Sequence, residues 1–210
     1  MLNINSIIDI LLILYLLKKQ TPLTAKQLVK FIFLSELAME KNNLFGFDFQ
    51  FIRYHYGPYS FNIEGIQKFM EDLRLADSLC MNIGVFQFHK TFLSRYGRQF
   101  LNEFTDLFEE NEEIAAKIDT VIDTFKNYTG KALENYCYTL EVDNVPISEI
   151  PFYEIILDPE KDVSSKRKFT IEEDWIETFH LLLDEQRFKQ VKRIIEINRS
   201  TPAIKYTPEP

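Results

Sequence analysis

Hydrophobic residues recur at helical spacing through most of the chain and predict a mainly helical fold. The first predicted helix runs from about Asn5 to Lys19 and is apolar around most of its circumference, which is typical of a helix at the centre of a domain. The second begins at Thr24, whose side chain can cap it, and ends near Asn43. Both helices are expected to form the core.

An aromatic strand, a sharp corner and a third helix are predicted next. Phenylalanines alternate with polar residues over 47–51, which is the period of a half-buried strand. Gly57 and Pro58 predict the end of this strand, because proline cannot donate a hydrogen bond to a sheet. Ser60 is the predicted N-cap of an amphipathic helix over 61–74.

The following elements complete the order of a winged-helix domain. Residues 85–93 are predicted to be extended and to pair through 81–84 as a hairpin or wing. Ser94 then caps a fourth helix that reaches about Phe108. The order helix, helix, strand, helix, hairpin, helix predicts a winged-helix-like domain over residues 1–108.

The chain beyond this domain adds further helices. Its predicted parts are a helical extension packed on the domain over 109–140, an irregular segment over 141–168, C-terminal helices over 169–199 and a disordered tail over 200–210. Thr170 and Glu173 form a capping box that begins the C-terminal helices, and Asp184 can begin a second one. The predicted fold class is mainly α with a small β-hairpin or sheet, a winged-helix-like N-terminal core with added C-terminal helices.

Composition and charge narrow the class of protein. The chain has 210 residues, 46% of them hydrophobic and 27% charged, which is typical of a globular protein. Its formal net charge of −8 argues against a broad, non-specific grip on nucleic acid, which requires a surplus of lysine and arginine. Cys80 and Cys137 are predicted to be buried free thiols in a reducing cytoplasm rather than a disulfide.

The apolar run over 7–17 predicts a buried helix rather than a membrane span. The run contains Asp9, lacks a basic leader and is too short to cross a bilayer. We therefore expect a cytoplasmic protein without a membrane partner.

The sequence contains no motif for catalysis, metal binding or cofactor binding. It has no glycine-rich phosphate loop, no His-x-x-x-His, no paired Cys-x-x-Cys and no Gly-x-Ser-x-Gly. We therefore predict no catalytic residue, no metal and no cofactor. The alternative is an enzyme in which His55 acts as an exposed donor with Arg53 and Tyr56, but a structural role for His55 among the neighbouring tyrosines is favoured.

The tyrosines around the corner allow two interpretations. Tyr54, Tyr56, Tyr59 and Phe61 could form a binding surface, because tyrosine offers apolar area and a polar group at low entropy cost. They could instead pack the strand against helices, which we favour for Tyr54 and Tyr56 and leave open for Tyr59. The candidate partner-binding residues are Arg53, His55, Tyr56 and Tyr59.

The winged-helix order also makes DNA a candidate partner. The expected recognition helix over 61–74 carries few cations among more carboxylates, which is a poor surface for phosphates. The candidate DNA-binding residues are Lys68, Arg74, Lys90, Arg95 and Arg98. DNA binding is therefore disfavoured and kept as an alternative.

The stretch from Phe47 to Ser60 resembles the YwgA-like proteins, which carry a similar aromatic strand and a Tyr-His-Tyr-Gly-Pro-Tyr-Ser type corner. More distantly, the chain resembles the SocA-like, or Panacea-domain, antitoxins. That resemblance rests on the Gly-Pro corner and on the run from Val121 to Tyr128 before a short helix. The resemblance covers residues 5–140.

The resemblance implies a prokaryotic cytoplasmic regulator or adaptor without enzyme activity. The antitoxins tend to carry a Thr-His pair after the short helix, whereas this chain has Tyr138-Thr139-Leu140, so no role is carried over for that histidine. We predict an antitoxin-like or adaptor-like regulator that binds a protein partner, such as a toxin or a component of a regulatory or defence complex. The alternative is a winged-helix transcription regulator that binds DNA as a homodimer.

Overall fold

The structure is mainly helical and carries small, mostly antiparallel sheets, as the sequence predicts. It is a computed structural model that describes residues 2–83, 86–159, 161 and 163–200. The helices are α1 Ile4–Lys19, α2 Ala25–Glu40, α3 Phe61–Asp72, α4 Arg95–Asn102, α5 Thr105–Glu110, α6 Glu112–Phe125, α7 Gly130–Tyr138 and α8 Glu173–Ser200. The strands are β1 Leu23–Thr24, β2 Leu44–Phe45, β3 Phe51–Tyr54, β4 Gly57–Tyr59, β5 Ala76–Ile83, β6 Phe86–Leu93, β7 Glu141–Val142, β8 Val145–Pro146, β9 Ile155–Leu157 and β10 Arg167–Lys168.

The hydrophobic first helix lies at the centre of the core. Apart from the half-buried Tyr15, every residue of α1 from Ile7 to Leu17 is buried. The side chain of Asn3 caps the helix by accepting a hydrogen bond from the backbone N–H of Ser6. The helices α4, α6 and α8 pack around α1, so its apolar circumference is covered on several sides.

Thr24 caps α2, as the sequence predicts, and Gln27 completes a capping box that was not predicted. The Thr24 side chain accepts from the backbone N–H of Gln27, and the Gln27 side chain accepts from the backbone N–H of Thr24. The helix then packs against α6 and α7. Its buried face carries Lys30 in addition to apolar residues, and this lysine helps to position the candidate site.

The predicted hairpin is present as part of a three-stranded antiparallel sheet in the order β1-β6-β5. Leu23 of β1 pairs with Thr91 of β6, and Ala76 of β5 pairs with Leu93 of β6. Helix α3 covers one face of the hairpin, because the Gln67 side chain donates to the Thr91 hydroxyl at 2.8 Å. Residues 81–83, through which the hairpin is predicted to pair, are the last residues of β5, and Gly84 lies outside the described residues.

The residues predicted to cap α3 and α4 both occupy the N-cap positions, but only Ser94 of α4 caps its helix through its side chain. Ser60 occupies the N-cap position of α3 but its side chain makes no capping hydrogen bond. The Ser94 hydroxyl accepts from the backbone N–H of Gly97 at 2.8 Å and donates to the carbonyl of Arg74. The fourth helix is also shorter than predicted, because it ends at Asn102 and α5 begins at Thr105.

Ser94→Ala is therefore expected to lower the free energy of unfolding by about 1–2 kcal/mol, because it removes a helix cap. Ser60→Ala should change the free energy by less than about 0.5 kcal/mol, because no cap is lost there. Denaturant melts of the two variants provide the comparison. Equal destabilisation by the two substitutions would contradict the assigned caps.

The segment predicted to be irregular contains short strands and contributes to the core. Strands β7 and β8 form a hairpin, and β9 pairs antiparallel with β3. Strand β10 pairs in parallel with β2, which lies more than a hundred residues earlier in the chain. Ile147 and Ile156 are buried, so the segment completes the core rather than looping away from it.

The C-terminal region is one helix rather than two. Helix α8 is 28 residues long and continues through Asp184 without a break. It packs on the body through aromatic contacts, with ring centroids 5.8 Å apart for Trp175 and Phe104 and 5.3 Å apart for Phe179 and Phe100. The tail over 200–210 was predicted to be disordered. Ser200 is the last residue of α8, and residues 201–210 lie outside the described residues.

Two further predictions concern the cysteines and the membrane. Cys137 is fully buried as expected, but Cys80 is exposed on β5, and the two are not joined by a disulfide. In the described part of the chain, no helix has both the length and the apolar character needed to cross a membrane.

Candidate functional site

The candidate site is built on a tight hairpin between β3 and β4. Arg53 pairs with Pro58 and Tyr54 pairs with Gly57, so His55 and Tyr56 form the turn. The Gly-Pro corner thus begins a second strand instead of ending the first one, which corrects the sequence prediction. Gly57 has a φ of 85°, a left-handed conformation that favours glycine. Pro58 is tolerated because β4 is an edge strand.

The buried Lys30 of α2 holds the backbone of the β3–β4 hairpin in place. The Lys30 ammonium donates to the carbonyl oxygen of Pro58, and burial lowers the pKa of Lys30 to about 8. On the neighbouring α7, the Tyr138 hydroxyl donates to the carbonyl of His55 at 3.0 Å. The backbone of the hairpin is therefore fixed to both α2 and α7.

Glu134 of α7 forms one ion pair with α2 and another within α7. Its carboxylate lies 2.7 Å from the Lys26 ammonium and 2.6 Å from the Lys131 ammonium. Burial alone would raise the pKa of Glu134, but the hydrogen bonds from Lys131 and Lys26 outweigh it and lower the pKa. The Lys26 ammonium also lies 4.1 Å from the centre of the Tyr56 ring, so this ion pair extends to the tip of the hairpin.

Arg53 is buried behind the hairpin instead of facing solvent. Only 9% of the residue is exposed, and its Nε donates to the carbonyl of Ile147 at 3.1 Å. The guanidinium lies between two rings, 4.8 Å from the centre of Tyr138 and 4.7 Å from the centre of Phe152. The prediction that Arg53 contacts a partner directly is therefore replaced by a positioning role.

Aromatic side chains around this hairpin form one surface, which we call the aromatic surface. Six of its members have rings in contact with one another: Tyr54, His55, Tyr59, Phe61, Phe152 and Tyr153. The seventh member is Tyr56, which follows His55 in the turn of the hairpin. Tyr54 is its centre, because its ring contacts those of His55, Tyr59, Phe61 and Tyr153 at centroid distances between 4.6 and 5.7 Å. The most exposed members are Tyr56 at 59%, Phe61 at 57%, Phe152 at 52% and Tyr153 at 62%.

The structure separates the roles of the predicted aromatic residues. Tyr56 is exposed, so the packing role favoured for it is wrong, whereas Tyr54 is half-buried beneath its neighbours. Tyr59 is half-buried and donates to the Glu64 carboxylate; burial and this carboxylate raise the pKa of Tyr59. His55 is exposed and contacts the rings of Tyr54 and Phe152, at 4.6 and 5.3 Å.

Two members of the surface were missed at the level of sequence. Phe152 and Tyr153 lie in the segment predicted to be irregular, where they immediately precede Glu154 and β9. Their backbone is tied to β3, since the N–H of Tyr153 donates to the carbonyl of Arg53 at 2.8 Å. Two adjacent large aromatic residues directly after Pro151 were the available signal for a binding surface.

The candidate DNA-binding residues lie on two sides of the β5–β6 hairpin. Arg74, Arg95 and Arg98 are exposed around its base, where the Ser94 hydroxyl donates to the carbonyl of Arg74. Lys68 is exposed on α3, which covers one face of the hairpin through Thr91. Lys90 belongs to the opposite face, because neighbouring residues of a strand point to opposite sides. Lys90 and Lys68 therefore lie on opposite faces of the hairpin.

In the residues that the structure describes, no group of three or more histidine, cysteine, aspartate or glutamate side chains is arranged to hold a metal ion. The geometry offers an exposed aromatic surface on a rigid support, which is suited to binding a partner. Comparison of the chain with models of known protein families finds no match, and comparison with curated proteins finds no significant match.

Proposed function

We propose that the chain is a non-enzymatic regulator that binds a protein partner through the aromatic surface. The observation that carries the proposal is the exposure of four large aromatic side chains in one place, each more than half accessible. Such residues are costly to leave in water and are enriched among the residues that dominate binding energy at protein interfaces. Tyrosine also offers a hydroxyl to a partner, which suits an interface that forms and dissociates.

The contacts that hold the aromatic surface in place favour the same function. Lys30 and Tyr138 fix the hairpin backbone, and Arg53 holds the Phe152 ring in place. A surface whose side chains are already ordered loses less conformational entropy when a partner binds. We propose an antitoxin-like or adaptor-like role for a cytoplasmic prokaryotic protein, in keeping with the resemblance to the YwgA-like proteins and SocA-like antitoxins. The partner is then a toxin or a component of a regulatory or defence complex.

A double variant tests the proposal. The partner is first identified by affinity purification and mass spectrometry, and its affinity is then measured by calorimetry with the purified proteins. Tyr56→Ala combined with Phe61→Ala should weaken the complex at least about 10-fold, because both side chains are exposed members of the aromatic surface.

The matched control is Leu181→Ala combined with Phe188→Ala. These residues are 62% and 72% exposed on α8, away from the aromatic surface, so the control removes exposed apolar side chains without touching it. The control should bind the partner like the wild type. Normal binding of the partner to the Tyr56 and Phe61 double variant would contradict the proposal. Loss of binding in the Leu181 and Phe188 control alone would contradict it as well.

We further propose that residues 1–108 form a winged-helix-like domain. Support comes from the order α1, β1, α2, α3, β5, β6 and from the pairing of β1 with β6 in the sheet β1-β6-β5. This topology favours a second candidate function, a transcription regulator whose homodimer pools the cations of two hairpins on DNA. The charge of α3 opposes it, since its exposed face holds Glu64 and Asp72 around Lys68.

The salt dependence of DNA binding separates these functions. We expect non-specific binding of duplex DNA with a Kd of roughly 10⁻⁴ M or weaker at physiological salt, because few cations are clustered. Fluorescence anisotropy with random duplex across a salt series is the measurement. Micromolar binding that weakens with salt, and that disappears when Lys90, Arg95 and Arg98 are all changed to alanine, would favour the transcription regulator.

A further inference from the structure

The outward face of α8 exposes two large apolar side chains to solvent. Leu181 is 62% exposed, and Phe188, two helical turns later, is 72% exposed. The opposite face of α8 holds the helix on the body, since Phe179 is buried and the Gln186 side chain donates to the carbonyl of Leu73 at 3.4 Å. An exposed apolar face on a helix that is fixed in this way is a candidate contact for another helix.

Oppositely charged residues flank the two apolar side chains at equal distances. Glu177 lies four residues before Leu181, Lys192 lies four residues after Phe188, and both charged residues are exposed. On an α-helix these four positions fall within about 60° of the circumference, so they form one line, which we call the α8 stripe. Its spacing of four, seven and four residues is the same from either end, with a negative charge at one end and a positive charge at the other.

A stripe with this spacing is complementary to a second copy of itself that runs in the opposite direction. A two-fold axis between positions 184 and 185 places Leu181 of each copy against Phe188 of the other. The same axis places Glu177 of each copy against Lys192 of the other. Every contact then occurs twice, as in any two-fold interface, and both large apolar side chains are covered.

The charges along α8 are distributed as antiparallel pairing requires. From Glu173 to Glu185 the helix has acidic residues but no lysine or arginine, whereas Arg187, Lys189 and Lys192 follow over the next two turns. A parallel pair of these helices would place like charges side by side. An antiparallel pair places the acidic half of each helix against the basic half of the other.

The end charges of the α8 stripe are available for this contact. The charges near the proposed axis pair within their own helix, Arg187 with Asp184 at 3.4 Å and Lys189 with Glu185 at 3.6 Å. Among the described side chains, neither end charge of the stripe has an ion-pair partner. The two end charges are about 22 Å apart along the helix, so they can pair only between two chains.

We propose that the α8 stripe is the contact of an antiparallel homodimer. The inference goes beyond the proposed partner-binding function and does not depend on it, because it concerns a different surface. One helix pair in contact over about 22 Å lies at the low end of specific interfaces, so we expect a reversible dimer with a Kd of about 10–100 μM.

Sedimentation equilibrium of the full chain over a range of about 1–500 μM measures the association. The wild type should shift from the mass of one chain towards twice that mass as the concentration rises. Leu181→Ala combined with Phe188→Ala should weaken association at least about 10-fold, because it removes the apolar centre of the contact. Both side chains are exposed, so the variant should fold, which circular dichroism checks. The matched control, Tyr56→Ala combined with Phe61→Ala, removes exposed aromatic side chains elsewhere and should associate like the wild type.

Charge reversal tests the direction and register of the pairing. Glu177→Lys and Lys192→Glu should each weaken association about threefold or more at low salt, because each places like charges together at both ends of the contact. The two substitutions combined should restore the wild-type Kd, since opposite charges then meet again at both ends. This rescue cannot arise within one chain, because the two positions are about 22 Å apart.

Four results would overturn the inference. They are a monomeric wild type up to about 0.5 mM, unchanged association after the Leu181 and Phe188 substitutions, association lost with the control, and charge reversals that fail to rescue each other. None of these results bears on the affinity of the natural partner, which is measured separately with the Tyr56 and Phe61 variant.

Discussion

Gly97→Ala is expected to destabilise the protein by at least about 3 kcal/mol. A Cβ atom at this position would lie 1.8 Å from the carbonyl oxygen of Leu75 and 3.0 Å from a methyl carbon of Leu93. The carbonyl belongs to the backbone and already accepts a hydrogen bond from the N–H of Ser94 at 3.2 Å. It cannot move aside without separating the start of α4 from the chain that precedes β5. Chemical denaturation followed by circular dichroism measures the loss.

Gly65→Ala is the matched control for this substitution. Gly65 lies within α3, and a Cβ atom there would meet nothing within 4 Å. Alanine should therefore stabilise the protein by about 0.5–1 kcal/mol, because glycine loses more conformational entropy in a helix. If the Gly97 variant unfolds at the same denaturant concentration as the wild type, α4 does not approach Leu75 as closely as the structure indicates.

The features predictable from sequence are those that local chemistry determines. The capping role of Thr24 follows from its own side chain, and the structure confirms the hydrogen bond that this side chain accepts from the backbone N–H of Gln27. The burial of α1 follows from an apolar run too continuous for a surface helix. Gly97 shows the limit of this approach, because nothing within a helical turn reveals that the carbonyl of Leu75 lies against it.

The features that could not be predicted depend on pairing between distant parts of the chain. Strands of two or three residues are too short to show an alternating pattern, so β9 and β10 are invisible without their partners. Strand β9 becomes recognisable only when it pairs with β3, about a hundred residues earlier. The Gly-Pro corner was misassigned for a related reason, since an edge strand tolerates a proline that an interior strand would not.

The candidate site was partly predictable for the same physical reasons. His55, Tyr56 and Tyr59 were identifiable because they are consecutive or nearly so at a turn. The burial of Arg53 was not, because Tyr138 and Phe152, whose rings enclose its guanidinium, come from two other segments. Sequence therefore located most of the aromatic surface but not its support or the two members Phe152 and Tyr153.

A comparison of two phenylalanines separates the core from the proposed binding surface. Phe49 is 1% exposed, lies in the chain leading into β3 and has its ring centre 5.9 Å from that of Phe47. Phe61 begins α3, is 57% exposed and contacts the rings of Tyr54 and Tyr59. Both substitutions to alanine remove the same atoms, so the difference between their unfolding free energies reports mainly how deeply each ring is buried.

Phe49→Ala should lower the free energy of unfolding by about 3–5 kcal/mol, because it leaves a cavity in the core. Phe61→Ala should lower it by about 1 kcal/mol or less, through the loss of ring contacts at the surface.

The order of the two effects reverses for partner affinity measured on folded protein. Phe61→Ala should weaken the complex, whereas Phe49→Ala should leave the aromatic surface in place. Denaturant melts and calorimetry on the same preparations give both quantities. If Phe49→Ala is as stable as the wild type, the placement of residues 47–51 against the core is wrong. If Phe61→Ala binds the partner normally, the edge of the binding surface lies elsewhere.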